Sequence, residues 1–240
     1  MRLPRLFAPG QVQLVQVRFA PAVARCWQEQ AGKSLLDDMS IWFGEYAKAH
    51  QLALHAWSLS PAQLLFLGTA MESTAISRTV QAIGRRLAAA LKTGNVFEGR
   101  YKSALIDAAW VVPAQIWLEC APVQDGYVAQ AAAWPWSSAA GHTGDNETPK
   151  PSVVALTDHP SYWACGNTPF DRQASYRASL AEGLTPDQCE KIQAAVSGQW
   201  ALGSPRFIEQ LGKIANRRVV PSKRGRPRKT KEITTDTSLI

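Results

Sequence analysis

Between Ala49 and Met71 the chain carries no Asp, Glu, Lys or Arg. A stretch that long must either enter a membrane or be buried in the protein, because it is sufficient to cross a bilayer. His50, Gln51, His55, Ser58, Ser60, Pro61 and Gln63 sit at its middle as well as its ends, which argues against a membrane partner. Two strands, Leu52–Leu59 and Gln63–Thr69, joined by a turn at Ser60-Pro61-Ala62, account for the stretch better.

The flanking pattern extends this reading. Gln11 to Arg18 alternates apolar and polar residues, as a strand does. From Ser34 the apolar residues Leu35, Met39, Trp42 or Phe43, and Tyr46 recur at helical spacing, predicting a helix to His50 capped by Ser34. Ile76, Val80, Ile83, Leu87 and Leu91 form one stripe of a second helix, with Arg78, Arg85, Arg86 and Lys92 on its other sides. A further strand is expected within Phe97–Ile106, then a helix from Asp107 to Cys120 that Pro113 should kink or restart.

The order predicts an α+β fold: a ferredoxin-like antiparallel sheet with helices on one face. After it come a small helical C-terminal region (Asp171–Glu182, Pro186–Ser197 and Pro205–Ala215) and a disordered basic tail. The expected divisions are 1–140 for the α+β domain, 141–152 for a loop rich in turn formers, 153–216 for the helical region and 217–240 for the tail.

The net charge of +7 is concentrated at the C-terminal end. Arg217 to Lys231 holds eight of the 26 Lys and Arg and no acid, and two of the 19 acids follow it. The preceding 216 residues are left with 18 bases against 17 acids, so only the tail calls for a polyanionic partner. Cys26, Cys120, Cys165 and Cys189 form no CxxC pair, and His50, His55, His142 and His159 are not at ligand spacing. The cysteines are expected as free thiols in a reducing compartment, with no zinc site. The first apolar run is broken by Pro4, Pro9 and Gly10, so no secretory signal is expected.

Within the tail, Arg224-Gly225-Arg226-Pro227, flanked by Lys223, Arg228 and Lys229, looks like an AT-hook. Gly225 lets the backbone approach the floor of a narrow groove, and Pro227 restricts the free chain. Arg224 and Arg226 would then lie in the minor groove of A·T-rich duplex, where the potential is most negative. Arg217 and Arg218 would add phosphate contacts. The plainer reading, a solubilising cationic tail, lacks a reason for the Gly-Arg-Pro centre.

Several segments together resemble the REP-associated tyrosine transposases, relatives of the single-tyrosine transposases of bacterial insertion sequences. They are Leu3-Pro4-Arg5-Leu6; Gln81 to Arg86; Phe97 to Ser103; Leu118-Glu119 with Pro122-Val123; Trp136-Ser137-Ser138; and, toward the end, Trp200 to Gly203, Phe207, Arg217-Arg218 and Arg224 to Lys229. The resemblance implies DNA transposition chemistry: a His-hydrophobe-His pair on a strand binding a divalent metal, and a tyrosine on a helix attacking a phosphodiester.

This sequence departs from that pattern at the reacting positions. Gln63 and Leu65 stand where the two histidines belong, and Trp117 where the tyrosine belongs. Ala121 and Gln124 replace the asparagine and arginine that flank Pro122-Val123. The expected function is therefore a catalytically inactive, transposase-like DNA-binding protein with no cofactor. The alternative is an active transposase or endonuclease on single-stranded or hairpin DNA, with a divalent metal and unrecognised residues. A protein-interaction module with an incidental tail is the third possibility.

Expected partners are A·T-rich duplex for the tail and hairpin DNA for the core, the latter with Arg85, Arg86, Arg100 and Lys102 lining a groove beside the sheet. A homodimer is allowed, and the expected location is cytoplasmic and nucleoid-associated. His55 reads as a hydrogen-bonded core histidine. Glu119 and Glu98 read as helix-surface or ion-paired acids, and Trp134 and Trp136 as caps on the core. Tyr46, Tyr101 and Tyr127 could replace the lost nucleophile only with a base or metal beside them.

Overall fold

The computed structural model describes residues 4–23, 32–145 and 154–221. The uncharged stretch forms two strands, β2 (Ala53–Leu59) and β3 (Gln63–Thr69), which join β1 (Val12–Arg18) and β4 (Lys102–Leu105) in one sheet. The order is β2-β3-β1-β4 with every pairing antiparallel. Helix α1 (Gly32–Ala49) links β1 to β2, and α2 (Ala75–Leu91) links β3 to β4. This is the βαββαβ order expected from the sequence. Among the described residues, no helix is long and apolar enough to cross a membrane.

The two sheet faces carry different residues because strand side chains alternate. Val15, Val17, Trp57, Leu59, Leu64 and Phe66 face α1 and α2, meeting Met39, Phe43, Ile76, Val80, Ile83 and Leu87. Val12, Leu14, Ala56, Leu65, Leu67 and Ala104 face the other way. That second face is covered too, by α3 (Ala108–Glu119) and by Ile192, Ala195 and Val196 of α8 (Pro186–Gly198). The sheet is therefore sandwiched, and the C-terminal helices share a core with it.

Helix α3 is apolar on every side because it is buried on every side. Val111, Ala114, Trp117 and Leu118 pack toward the sheet. Ile116, with Val112 and Cys120 beside it, packs outward against Tyr162 and Tyr176. These tyrosines belong to α6 (Pro160–Trp163) and α7 (Pro169–Glu182). Pro113 is accommodated inside a continuous α3. Asp107 caps α3, and its other oxygen accepts from the Ser204 amide and hydroxyl at 2.9 and 2.8 Å, tying in α9 (Pro205–Ile214).

The strand expected within Phe97–Ile106 is present as Lys102–Leu105, after Gly99 turns the chain with φ +78°. Three local expectations are corrected. Helix α1 begins at Gly32, so Ser34 lies inside it rather than capping it. The loop expected from residue 141 starts later: α5 (Ala139–Thr143) runs into it, while residues 146–153 lie outside the described residues. The tail does not leave the body after Asn216. Val219 is buried beside Leu6, Ala8 and Leu105, and its carbonyl accepts from the Ala201 amide. Burying that valine outweighs the cost of ordering two neighbouring arginines.

Both outer strands are flanked. Ser137 bridges to Ser58, and the Thr157 amide donates to Leu54, along the β2 edge. Leu202 bridges to Ile106 just past β4. Covered edges blunt the tendency of strands to pair with other chains.

Candidate nucleic-acid interface

Register fixes what gathers at one end of the sheet. Arg18 lies opposite Gln63, Gln16 opposite Leu65, and Lys102 opposite Gln16. Opposed residues share a face, here the α3 face. Leu65 is 1% exposed and belongs to the same apolar cluster as Trp117. Gln63 is half-buried at the rim, and its Oε1 accepts from Gln16 Nε2 at 2.8 Å. The three positions singled out in the sequence thus lie on one side of the sheet: two in one packed cluster, the third two residues along the strand.

These residues do not fit a divalent metal. Leucine offers no donor atom, the Gln63 carbonyl oxygen already accepts a hydrogen bond, and an indole has neither a metal-binding lone pair nor a hydroxyl. Among the described residues, no group of three or more His, Cys, Asp or Glu comes together to hold a metal. Leu65 and Trp117 fill their side of the sheet with apolar volume.

The charged group in α3 is Glu119, which is fully buried. Its carboxylate accepts from Ser138 Oγ at 2.5 Å, from His142 Nδ1 at 2.6 Å and from the Tyr176 hydroxyl at 2.6 Å. The Tyr162 hydroxyl donates to the His142 carbonyl at 2.9 Å. Burial alone would lower the His142 pKa, but the adjacent Glu119 charge and hydrogen bond outweigh it and raise the pKa. Burial beside the same carboxylate pushes the Tyr176 phenol well above its usual range. Glu119 is therefore ion-paired, not on the helix surface. With no solvent exposure, Tyr176 is a structural donor and not an attacking group. One signal in the sequence could have found this network: Glu119 is the sole charged residue of Ala108–Cys120, and a charge in an apolar helix demands buried partners.

Of the other titratable candidates, His55 adjoins that cluster, its backbone hydrogen-bonded to His142, and the tyrosines lie elsewhere. His55 is a core histidine: Nδ1 donates to the Thr157 carbonyl at 2.7 Å, and Nε2 meets the Thr69 hydroxyl at 2.8 Å. Desolvation lowers its pKa, so the neutral ring accepts from Thr69. Tyr101 packs in the core on the α1/α2 side beneath the Arg5 guanidinium, 3.5 Å from the ring centre. Tyr46 packs on the same side, and Tyr127 stacks on Trp134. Trp134 and Trp136 are buried in that core, as expected.

The basic residues divide. Arg86 pairs with Glu45 at 3.0 Å and lies over the Trp42 ring. Arg85 lines a groove of about 500 Å³ between α2 and the 94–99 turn. Arg100 is exposed on the turn before β4. Arg217 is engaged with the body: its guanidinium lies 5.0 Å from the Trp200 ring centre and donates to the Gln199 carbonyl. Arg218 is exposed. Lys223, Arg224, Gly225, Arg226, Pro227, Arg228 and Lys229 lie outside the described residues.

No family model and no curated protein matches this sequence. In three dimensions the chain superposes on a solved REP-associated tyrosine transposase bound to a REP hairpin, with a TM-score of 0.51 at 18% identity. The match covers 67% of this chain and 96% of that one. At that identity the likeness is one of fold, here an α+β architecture around a four-stranded antiparallel sheet in this chain.

Proposed function

We propose that this protein binds DNA on a transposase-like scaffold and does not cut it. The observation that carries the reading is the chemistry at Gln63, Leu65 and Trp117, on a fold whose solved counterpart is bound to a DNA hairpin. A scaffold of that kind still offers a DNA-sized surface when its reacting positions hold an amide, an aliphatic chain and an indole. The basic segment from Lys223 to Lys229 adds a sequence-tolerant grip on A·T-rich duplex. The protein then works as a nucleoid-associated binder, with the core taking hairpin DNA and the tail taking flanking duplex.

The test incubates the full chain with end-labelled single-stranded hairpin DNA, with magnesium or manganese, and resolves the products on a denaturing gel. Binding in a parallel retardation assay with neither cleavage nor a covalent adduct is the expected result. An adduct would refute the inactive reading, and no retardation at low salt would refute the DNA reading itself.

A further inference from the structure

The residues after α9 fix where the basic tail begins. Asn216 donates to the Arg5 carbonyl at 2.9 Å and accepts from the Phe7 amide at 3.2 Å. The Arg217 guanidinium stands 5.0 Å from the centre of the Trp200 ring and donates to the carbonyls of Gln199 and Arg218. Gln199 caps the C-terminus of α8 in a left-handed conformation, φ +56°, where a cation meets the negative end of the helix dipole. Val219 is buried beside Leu6, Ala8 and Leu105, and its carbonyl accepts from the Ala201 amide at 2.9 Å. The next residue, Leu202, donates its amide to Leu105 of β4. The chain is thus fastened at Asn216, Arg217 and Val219 alongside β4, and Pro221 is exposed.

This fastening removes Arg217 from the set of phosphate-binding cations. Both of its terminal nitrogens donate to carbonyls, and its Nε is buried, so the fork that would grip a phosphate is turned inward. Arg218 is the exposed member of the pair. The fastening also limits reach. A fully extended chain spans at most about 3.6 Å per residue, which places Gly225 within about 14 Å of Pro221 and Lys229 within about 29 Å. Released as far back as Asn216, the same residues would reach about 18 Å further.

We infer that Arg217 is a positioning residue and not a DNA contact. Its clamp on Trp200 and Gln199, with buried Val219, holds the start of the tail beside β4. The A·T-rich duplex gripped by residues 223–229 then lies close to that edge and is continuous with the DNA held by the body. The inference rests on the DNA-binding reading and adds a spacing to it: the clamp sets how far along one DNA molecule the tail reads.

Fluorescence anisotropy with the full chain tests it, on labelled hairpins that carry one A·T tract stepped outward along an otherwise G·C stem. Wild type is expected to bind most tightly with the tract in one interval of the stem, and to fall to the all-G·C affinity beyond it. Arg217→Gln with Val219→Ala releases the fastened segment. The interval should then extend outward by about 5 base pairs, from about 18 Å of added reach at about 3.4 Å per pair. The tightest affinity should drop about threefold, because effective concentration follows the −3/2 power of tether length. A Gly-Ser insertion of matching length after Pro221 lengthens the tether with the clamp intact and should extend the interval equally. On isolated A·T-rich duplex, Arg217→Gln should keep the wild-type slope of log K against log salt, whereas Arg228→Gln should lower it by about 0.9.

Unfolding midpoints identify any variant whose fold is lost, and the insertion and Arg217→Gln then decide. Wild-type affinity that ignores tract position, an interval that stays put in the lengthened chains, or a slope lowered by Arg217→Gln overturns the clamp while leaving DNA binding intact. A wild-type chain that binds neither hairpin nor A·T-rich duplex at low salt overturns the DNA-binding reading and the clamp with it.

Discussion

Replacing Glu119 should cost more stability than any other single polar change among the described residues. The carboxylate accepts three hydrogen bonds, from Ser138, His142 and Tyr176, and all four residues are at most 2% exposed. Glu119→Ala strips the acceptor from His142 Nδ1 and the Tyr176 hydroxyl, while Ser138 Oγ keeps the Trp57 carbonyl at 3.1 Å. Each orphaned buried donor costs about 1–3 kcal/mol, and breaking a buried ion pair from one side costs about 3–5 kcal/mol. A loss of about 4–6 kcal/mol is expected, a large part of the roughly 5–15 kcal/mol that holds a domain together. Tyr176→Phe removes one donor and leaves no orphan on its own side, so a loss of about 1.5–3 kcal/mol is expected. Urea unfolding followed by tryptophan fluorescence and far-ultraviolet circular dichroism measures both. A Glu119→Ala loss below about 1 kcal/mol would show that the network is not formed in solution.

The same network sets a pH dependence. The folded His142 pKa lies above its unfolded value, which is about 6.5. Its protonation therefore stabilises the fold fully below about pH 6.5, and this contribution is lost as pH rises through the raised folded value. Desolvation lowers His55 and His159, which act in the opposite sense around the same pH. The informative quantity is thus the stability difference between wild type and His142→Gln, expected to shrink on going from pH 6 to pH 9. A difference that grows over that range would contradict the ion pair.

Three further perturbations bear on the fold and the tail. Truncation after Pro221 should leave stability unchanged and lower the salt slope of DNA binding by roughly 4 to 5. Truncation after Asn216 should also cost about 1.5–3 kcal/mol of stability, because it removes buried Val219; equal unfolding midpoints for the two truncations would argue against that docking. Gly84→Ala should destabilise by about 1–3 kcal/mol, since a Cβ there would sit 2.5 Å from Phe97 Cε2; a thermal melt unchanged from wild type would show that the ring moves freely.

The parts of the fold that were legible in the sequence are those whose cause is local. The absence of charge from Ala49 to Met71 and the Ile76–Leu91 stripe lead directly to β2, β3 and α2. What the sequence hides is set by distant neighbours. The lone charge of Glu119 in an apolar helix signals buried partners but not which ones, because residues 138, 142 and 176 reach it across separations of 19 to 57 residues. The α3 pattern lacks an amphipathic stripe because the helix has no solvent side, so the second covered face of the sheet could not be anticipated from it. At the candidate site, the residue types at Gln63, Leu65 and Trp117 are readable in the sequence, whereas their gathering on one side of the sheet follows only from strand register and packing.

Helix α3 has the sheet on one side and the tyrosine-bearing helices on the other. A fragment ending near residue 145 would present Val112, Ile116 and Cys120 to water as an apolar seam. Such a piece should aggregate or be degraded, however complete its four strands. Any line of descent that kept the sheet therefore also had to keep the helices that follow it, so a stop codon between α5 and the end of α8 would remove the whole protein and not just its final helices.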